Sequence, residues 1–356
     1  MRPTSSDNRS THSRFRNPRW LTVTGALVAG MLLVTAAGCS KGNASGAESP
    51  SGSESASATA TSTSSASTPP RVITSLDDIH VSGDFNQTPT VTADWPLKVD
   101  ETMSKVLING TGAAVASDST VEINYLGIDA TTGKTFDSSF SRGSTTSFSL
   151  AQVISGFSKG LDGKHVGDRV LLAITGADGY DSAGGSTQAG ISVGDTLVFV
   201  VDIDSVQLTQ PSGETVTPPA GLPAVGGDIN NPTISFPADA KAPSDLVIQP
   251  LIKGTGKKVS AGDTITVNNL GVEWGNGRVI STTYNNGNPS PVSGALSSTL
   301  EGWQKGLVDQ TVGSRVLLIV PGSMAYPNGN STPSVSAGTT LVFVVDILFT
   351  QPASAS

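Results

Sequence analysis

The chain contains an internal repeat, and this repeat restricts the possible folds more than any other feature of the sequence. Residues 106–128, VLINGTGAAVASDSTVEINYLGI, align with residues 250–272, PLIKGTGKKVSAGDTITVNNLGV. Three further pairs of segments align in the same order: 88–100 with 231–245, 154–174 with 300–320, and 191–203 with 335–347. Similarity over such long segments indicates two homologous domains in tandem, each with a hydrophobic core of its own.

Each repeat has the pattern of a sheet with one short helix. The segments TVEINYLGI (120–128) and TLVFVVDIDSV (196–206) are rich in β-branched residues and alternate or run apolar, which predicts strands. In the segment VISGFSKGL, Val153, Phe157 and Leu161 share one face of a predicted short helix. A multistranded antiparallel sheet with one short helix is an α+β fold.

The composition of the other segments sets the predicted domain boundaries. Residues 40–70 are almost all small and polar, which predicts a disordered tether because such a stretch buries too little apolar surface to fold. The predicted order is a lipoprotein signal peptide (1–39), the tether (40–70), a first domain (71–208, core 104–206), a Pro/Gly-rich linker (209–226), a second domain (227–350, core 248–349) and a tail (351–356).

The N-terminal segment predicts export and a lipid anchor. Five arginines precede an apolar run at residues 21–39, which is the pattern of a secretory signal. The run ends in Ala36-Ala37-Gly38-Cys39 and resembles a bacterial lipobox, in which the cysteine is lipidated, although leucine is commoner at the place of Ala36. The resemblance implies an extracytoplasmic protein held on the cell membrane by a lipid on Cys39. The pattern leaves open an ordinary cleaved signal or an uncleaved membrane anchor.

Several kinds of chemistry are poorly supported by the sequence. The formal net charge is −8 and the body of the chain lacks a Lys/Arg cluster, which argues against a nucleic-acid partner. The chain has only three histidines (His12, His80 and His165) and one cysteine (Cys39), so no metal site, disulfide or Ser-His-Asp triad is indicated. GTGKK at 254–258 lacks the spacing of a P-loop and is interpreted as a turn. No cofactor is predicted.

Three motifs of the first repeat resemble the FK506-binding-protein (FKBP) type of peptidyl-prolyl cis–trans isomerase: YLGIDATTGKTFDSS, VISGFSKGL and TLVFVVDI. The resemblance covers residues 104–206 and 248–349. It implies a curved antiparallel sheet wrapped around one short helix, with a pocket between them in which X–Pro bonds isomerise. It also implies proline-containing polypeptides as substrates, FK506-type macrolides as inhibitors, and no cofactor.

The resemblance assigns pocket residues to the first domain. Those implied for catalysis are Tyr125, Phe136, Asp137, Ile154 and Tyr180, and those implied for substrate binding are Phe148, Val153, Phe157, Ile191 and Phe199. The backbone N–H of Ile154 and the hydroxyl of Tyr180 would hold substrate carbonyls. Asp137 would lie near the Tyr125 hydroxyl at the edge of the pocket, and the aromatic side chains would hold the proline ring.

Two features of the first repeat depart from the family pattern. Phe157 stands where the family usually has tryptophan, and the loop at 180–191 lacks the usual histidine. Taken singly, Tyr125, Phe148 and Phe199 would be simple core aromatics of strands. The ordered set of motifs, together with a Phe–Asp pair in a turn-rich segment, favours a pocket because a buried acid needs hydrogen-bond partners.

An apolar pocket suits the implied reaction. An X–Pro bond rotates over a barrier of roughly 18–20 kcal/mol because rotation breaks amide resonance. The twisted amide is less polar than either planar form, so the removal of water around it favours the twisted form. The reaction needs no acid, base or nucleophile, which agrees with the lack of such a set in the sequence.

The second repeat predicts the same fold with a degenerate pocket. It keeps five pocket positions: Leu300, Trp303, Tyr326, Val335 and Phe343. Asn269, Ile280 and Ser281 replace two aromatics and the acid of the first pocket, and the tip near Tyr284 and Pro291 does not align with the first repeat. We therefore expect weak or no isomerase activity in the second domain. The alternative is that both domains bind unfolded or proline-containing clients without turnover.

The lipobox resemblance predicts the mass of the mature protein. We expect a chain that begins at Cys39 and carries a lipid, measured by mass spectrometry of the protein purified from the membrane of a lipoprotein-processing bacterium. Cys39→Ser should release the protein from the membrane fraction. A mature chain that begins at another residue and carries no lipid would contradict this prediction.

Overall fold

The computed structural model describes residues 68–353 and contains two main antiparallel sheets, one in each repeat. The predicted signal peptide, Cys39, and all but the last three residues of the predicted tether lie outside the described residues. Between residues 68 and 353 no helix has the length and apolar character needed to span a membrane. The two sheets confirm the α+β class and the tandem arrangement predicted from the repeat.

The first domain is mostly β-structure. Its strands are β1 (Arg71–Val72), β2 (His80–Ser82), β3 (Thr90–Thr92), β4 (Leu97–Lys98), β5 (Met103–Ile108), β6 (Thr120–Asp129), β7 (Lys134–Ser138), β8 (Thr146–Ser149), β9 (Arg169–Ile174) and β10 (Leu197–Val206). Its helices are α1 (Ser139–Arg142) and α2 (Ser155–Leu161), and 3₁₀ turns lie at Leu76–Asp78, Leu150–Gln152, Gly176–Asp178 and Asp181–Ala183.

The main sheet of the first domain has the order β5-β9-β10-β6-β7, and β8 pairs with the beginning of β6 on the same edge as β7. Residues 197–201 of β10 are all apolar because both faces of the sheet are covered there. Leu197, Phe199 and Val201 belong to the core on the α2 side, whereas Val198 and Val200 belong to the core on the opposite side.

Helix α2 packs closely on strand β9 because two glycines of the helix face the sheet. A Cβ atom at Gly156 would lie 2.2 Å from the side chain of Ile174, and one at Gly160 would lie 2.5 Å from the side chain of Leu172. Any larger residue would push the helix off the strand. The spacing between helix and sheet, and with it the depth of the space between them, therefore depends on these two positions.

The predicted face of this helix needs one correction. Phe157 and Leu161 are buried on it as expected, but Val153 lies before the helix and not on it. The backbone at Val153 and Ile154 is extended, with ψ angles of 178° and 139°, and the helical conformation begins at the next residue. Val153 and Ile154 connect the end of the 3₁₀ turn Leu150–Gln152 to the start of helix α2, and this connection is not helical.

Residues 71–99, which precede strand β5 and are called the lead-in segment, form a second layer on the outer face of the first sheet. Strands β2 and β3 form a hairpin, and β1 pairs with β4 in parallel. Ile73, Leu76 and Leu97 from this segment pack against Leu171 and Val198 of the sheet. Removal of this apolar surface from water stabilises the layer.

A buried ion pair joins this layer to the sheet. The Arg169 guanidinium donates to both carboxylate oxygens of Asp202 on the neighbouring strand, at 2.6 Å each, and both side chains are almost fully buried. The same guanidinium donates to the backbone carbonyls of Gly83 (2.6 Å) and Gln87 (2.9 Å) in the hairpin loop. The backbone N–H of Asn86 donates to Asp202 at 2.7 Å. The hairpin loop is therefore held at a fixed place.

The second domain repeats this design. Its strands are β11 (Gly213–Thr215), β12 (Ala224–Asp228), β13 (Asn231–Ser235), β14 (Val247–Gly254), β15 (Thr264–Glu273), β16 (Val279–Thr282), β17 (Val292–Ala295), β18 (Arg315–Val320), β19 (Asn330–Ser331), β20 (Ser334–Val335) and β21 (Leu341–Gln351). Its helix is α3 (Glu301–Leu307), with 3₁₀ turns at Asn285–Gly287, Leu296–Ser298 and Gly322–Met324. Its main sheet has the order β11-β14-β18-β21-β15-β16, with β17 beside β15.

The buried ion pair recurs in the second domain. Arg315 donates to both oxygens of Asp346, at 2.6 and 2.7 Å, and also to the carbonyl of Ile229 beside the hairpin of β12 and β13. This hairpin covers the outer face of the second sheet, as the hairpin of β2 and β3 does in the first domain. The alignment of residues 88–100 with 231–245 therefore corresponds to a covering layer that both domains contain.

The linker predicted at 209–226 is wrong. Strand β11 lies inside it and pairs with β14, with Gly213 opposite Gly254, and β12 begins at Ala224. The Pro/Gly-rich composition misled the prediction because short edge strands tolerate glycine at close approaches. A Cβ atom at Gly213 would lie 2.0 Å from the carbonyl oxygen of Lys253, so only glycine fits there.

The buried pair predicts a large loss of stability on substitution. Asp202→Asn leaves the Arg169 charge buried without its counter-ion, which should lower the free energy of unfolding of the first domain by about 3–5 kcal/mol. Urea unfolding followed by circular dichroism measures this loss. Lys305→Met breaks the exposed pair with Glu301 and should change stability by no more than about 0.5 kcal/mol. Equal effects of the two substitutions would contradict the prediction.

Candidate active site

The sequence-predicted pocket residues of the first domain come together between the sheet and helix α2. Phe157, Ile191 and Phe199 are buried in the core on this side of the sheet. The other apolar and aromatic members pack against that core and are partly exposed: Tyr125, Phe136, Phe148, Val153, Ile154 and Tyr180. A group that is apolar and partly open to solvent can receive an apolar ring.

Phe199 lies at the centre of an aromatic cluster. Its ring centroid is 4.7 Å from that of Phe157, 5.5 Å from that of Phe136 and 6.3 Å from that of Tyr125, all in tilted or edge-to-face geometry. Phe148 meets Phe157 edge-to-face at 5.7 Å. Tilted and edge-to-face arrangements are the favoured geometries of aromatic pairs, so these contacts stabilise the cluster.

Gly127 lets the aromatic rings lie directly over strand β6. A Cβ atom at this position would lie 2.8 Å from the ring of Phe136 and 2.8 Å from the ring of Phe199. This glycine is the one in the motif YLG. The motif therefore combines a wall residue, Tyr125, with the space that two other rings need.

A β-bulge accompanies the Phe–Asp pair of the motif GKTFDSS. Asp137 lies opposite Gly127, whereas Thr135 lies opposite the very next residue of β6, so Phe136 is the extra residue of β7. A bulge bends the strand and changes the direction of a side chain. In the second domain Ile280 is the extra residue at the same place.

A polar network forms the rim of the aromatic cluster. The Tyr125 hydroxyl donates to one oxygen of Asp137, and Arg142 donates to the other oxygen at 2.5 Å and to the Tyr125 hydroxyl at 2.9 Å. The guanidinium of Arg142 also lies 5.5 Å from the centre of the Tyr125 ring. Sequence analysis missed Arg142. Its only signal was the position of a lone arginine just before Gly143, in the segment that follows the Phe–Asp pair.

The backbone N–H of Ile154 is available to a ligand. Ile154 is the residue immediately before helix α2, and within residues 68–353 this N–H donates no hydrogen bond. Tyr180 is half-buried on the same side of the sheet. Burial and the negative charge of Asp137 both raise the pKa of Tyr180, so its hydroxyl stays protonated and can donate.

The register of the second sheet establishes the equivalent positions there. Asn269 lies opposite Val345 as Tyr125 lies opposite Val201, and the Asn269 amide donates to Ser281 at 2.7 Å. Asparagine and serine thus keep a hydrogen bond where the first domain has tyrosine and aspartate. The ring, the negative charge and the arginine of the rim are absent from the described residues at this place.

The sheet register also identifies the counterpart of Phe148, which sequence alignment did not. Phe148 lies opposite Val121, and Gly294 lies opposite the equivalent residue Ile265. The second domain therefore lacks this aromatic wall as well. Tyr284, near which the alignment failed, is buried on the opposite face of the sheet, where its hydroxyl donates to Asp346 at 2.7 Å.

The floor of the second pocket is retained. Trp303 and Phe343 pack edge-to-face with centroids 5.4 Å apart, and Leu300, Tyr326 and Val335 contact the same core. The indole N–H of Trp303 is buried and, within the part of the chain that the structure describes, has no hydrogen-bond partner. A buried donor without a partner is unfavourable, so an acceptor placed over this floor would be stabilised.

Comparison with known proteins gives the family. Residues 112–204 and 255–348, together more than half of the chain, each match the FKBP_C family, described as FKBP-type peptidyl-prolyl cis-trans isomerase. The chain belongs to the FKBP-type peptidyl-prolyl cis-trans isomerases.

Individual relatives agree with this assignment. An FK506-binding protein of Streptomyces anulatus is 31% identical over 121 residues, which are 34% of this chain and 97% of that protein. A probable FK506-binding protein of Corynebacterium glutamicum is 36% identical over 121 residues, 34% of this chain and 98% of that protein. The FKBP-type peptidyl-prolyl cis-trans isomerase FkpA of Escherichia coli K12 is 32% identical over 108 residues, 30% of this chain and 38% of that protein.

The rim of this FKBP site has a defined protonation state. Burial and the hydrogen bond to Asp137 raise the pKa of Tyr125 to about 12. Burial by itself would raise the pKa of Asp137, but the hydrogen bonds from Tyr125 and Arg142 and the charge of Arg142 outweigh it and hold this pKa below its ordinary value of 3.8. Tyr125 is therefore a neutral donor and Asp137 an anion at neutral pH.

The shifted pKa values predict a flat pH profile. Asp137 stays ionised and Tyr125 stays protonated between about pH 5 and pH 9, so the catalysed isomerisation rate should not change in this range. Because the pKa of Asp137 is lower in the folded protein, the stabilisation it provides is present above about pH 4 and is lost as the pH falls through its folded pKa.

Arg142→Leu tests the cause of this shift. The substitution removes a charge and a hydrogen bond that favour the carboxylate, so the pKa of Asp137 should rise and the acid side of the rate profile should move to higher pH. Isomerisation of a proline tetrapeptide, followed from about pH 3 to pH 7, measures the change. Arg71→Leu, which breaks an exposed ion pair with Asp78, should leave the profile where it is.

Proposed function

We propose that the first domain is the catalytic domain and that it isomerises X–Pro bonds of exported proteins. The observation that carries this proposal is the combination of an aromatic floor with a charged rim at Tyr125, Asp137 and Arg142. The second domain keeps a floor without that rim. Membership of the isomerase family supports the reaction, and the geometry supports its assignment to the first domain.

The side chains of the first pocket have separate roles in this proposal. Phe157 and Phe199 contact the proline ring and exclude water from the amide, which favours the less polar twisted form. The backbone N–H of Ile154, which donates no hydrogen bond within the described residues, and the protonated hydroxyl of Tyr180 donate to substrate carbonyls on either side of the rotating bond. Rotation then needs no covalent step.

The second domain is proposed to bind proline-containing segments with weak or no turnover. The retained apolar floor and the buried, unbonded N–H of Trp303 support binding. The replacements at Asn269, Ser281 and Gly294 argue against catalysis because they remove the aromatic walls and the charge. The second candidate function is client binding by both domains without turnover, and the Trp303 donor supports the binding part of it in the second domain.

The proposed location follows from the N-terminal segment. A lipid on Cys39 would attach the chain to the membrane, and the polar tether that follows would hold the two domains away from its surface. Unfolded polypeptides emerging from export would then be within reach. The motif of residues 36–39 and the composition of residues 40–70 support this proposal.

Paired substitutions in the full chain test the assignment of catalysis. Asp137→Val should lower kcat/KM for a proline tetrapeptide by about tenfold, which corresponds to about 1.4 kcal/mol of lost transition-state stabilisation. Tyr180→Phe should lower it by a smaller factor. The equivalent change in the second domain, Ser281→Val, should leave kcat/KM within twofold of the wild type.

The same experiment separates the two candidate functions. An unchanged kcat/KM for Asp137→Val, with Ser281→Val lowering it, would move catalysis to the second domain. A wild-type chain with no activity above the uncatalysed rate would exclude the enzyme and leave the client-binding function. Circular dichroism of each variant checks that the fold is retained.

A further inference from the structure

A buried ion pair connects the two domains. The ammonium group of Lys257, in the second domain, lies 2.7 and 2.8 Å from the two carboxylate oxygens of Glu122, in the first domain. It also lies 3.3 Å from Asp204 at the end of β10. The Glu122 side chain is fully buried and that of Lys257 is 28% exposed. A carboxylate buried in this way requires a positive partner, and that partner comes from the other repeat.

Comparison of the repeats shows that this pair is not part of the shared domain design. Lys257 aligns with Ala113 of the first domain, and Glu122 aligns with Thr266 of the second. The Thr266 hydroxyl forms a hydrogen bond with the Ser293 hydroxyl of the same domain, at 2.7 Å. Each of the two charges therefore exists in only one repeat, and each finds its partner only across the domain boundary.

The relative position of the domains around this pair is well defined by other contacts. Leu208 packs against the cores of both domains, and its backbone N–H donates to the carbonyl of Leu348 at 2.9 Å. The backbone N–H of Ser212 donates to the carbonyl of Gly313 at the same distance. These contacts join the end of the first domain to the second domain, whose GTGKK segment contains Lys257.

Glu122 in turn holds the segment that completes the first pocket. The hydroxyl of Thr145 donates to Glu122 at 2.5 Å, and Glu122 lies opposite Ser147 in the pairing of β6 with β8. This short segment joins Arg142, which belongs to the rim, to Phe148, which belongs to the aromatic wall. A shift of Thr145 would move both.

We propose that the second domain acts as a positioning element for the first, with Lys257 holding Glu122 and, through Thr145, the segment from Arg142 to Phe148. This inference rests on the proposal that catalysis belongs to the first domain. It gives the second domain a role in the reaction that requires no activity of its own.

The ammonium group of Lys257 remains protonated at neutral pH. Burial by itself would lower the pKa of Lys257, but its hydrogen bond to Glu122 and the charges of Glu122 and Asp204 outweigh burial and raise it. The interaction is therefore present throughout the neutral pH range. Electrostatic pairs at partly buried sites are also screened little by salt.

Substitutions at Lys257 in the full chain test the proposal. Lys257→Met should lower kcat/KM for a proline tetrapeptide by about three- to tenfold, although it lies outside the first domain. Lys257→Arg keeps the charge and should restore most of the activity. Lys258→Met is the matched control. Lys258 is adjacent to Lys257 in the sequence, its side chain is exposed, and it makes no ion pair within the described residues. It should leave kcat/KM unchanged.

A second measurement does not depend on activity. Backbone amide resonances of residues 143–148 should shift in Lys257→Met and remain in place in Lys258→Met. Loss of activity together with these shifts, reversed by Lys257→Arg, would support the proposal. Unchanged resonances, or equal kcat/KM for Lys257→Met and the control, would overturn it.

The two proposals fail in different ways. If the wild-type chain shows no isomerase activity, the proposed function fails, while the resonances of residues 143–148 still decide whether Lys257 positions the segment. If Lys257→Met lowers kcat/KM only in proportion to the fraction of unfolded protein seen by circular dichroism, the role of Lys257 is stability and the positioning role is overturned.

Discussion

In each domain a buried arginine on one central strand pairs with an aspartate on the neighbouring strand, and this pair links the sheet to the hairpin that covers it. Arg169 and Asp202 face each other in the register of β9 and β10, and Arg315 and Asp346 do so in β18 and β21. The arginine also binds carbonyls of the covering hairpin, so the outer layer depends on it. Removal of one partner would leave the other charge buried and unpaired, and a sheet shifted by one residue would leave both unpaired.

The pocket depends on the sheet that this pair fixes. With one face covered by the hairpin layer, the other face is free to carry the aromatic cluster around Phe199 and the short helix α2. The bulge at Phe136 and the small residue at Gly127 then place rings over the strand without displacing it. The rim combines Tyr125 of β6, Asp137 of β7 and Arg142 of the one-turn helix α1 that follows β7. The candidate site is thus built on a scaffold whose outer layer is shared by both repeats.

The two repeats have diverged in their pockets and not in their scaffolds. The ion pairs, the covering hairpins and the glycines that bring the helix close to the sheet occur in both. The second domain lacks the walls and the charge of the first pocket, yet it supplies Lys257 to a carboxylate that only the first domain contains. The two repeats therefore differ at the pocket and at the contact between the domains.

The strands and the short helix were predictable because they depend on local pattern and residue type. Alternating apolar residues identify strands, and the order of motifs identifies the family, so Tyr125, Phe136 and Phe157 could be named from the sequence. The Pro/Gly-rich composition that predicted a linker at residues 209–226 was misleading, because pairing with a distant strand decides whether such residues form an edge strand.

Contacts between segments that are far apart in the chain were established only by the tertiary structure. The register of the second sheet identified Gly294 as the counterpart of Phe148, and the packing of the domains brought Lys257 to Glu122 across 135 positions of sequence. The position of a strand fixes which side chains meet, and a single sequence carries no record of that position. What the sequence determined by itself was the repeated α+β domain and the family to which it belongs; which charges are paired, and across which boundary, was decided by the fold, because these pairs join residues far apart in the chain.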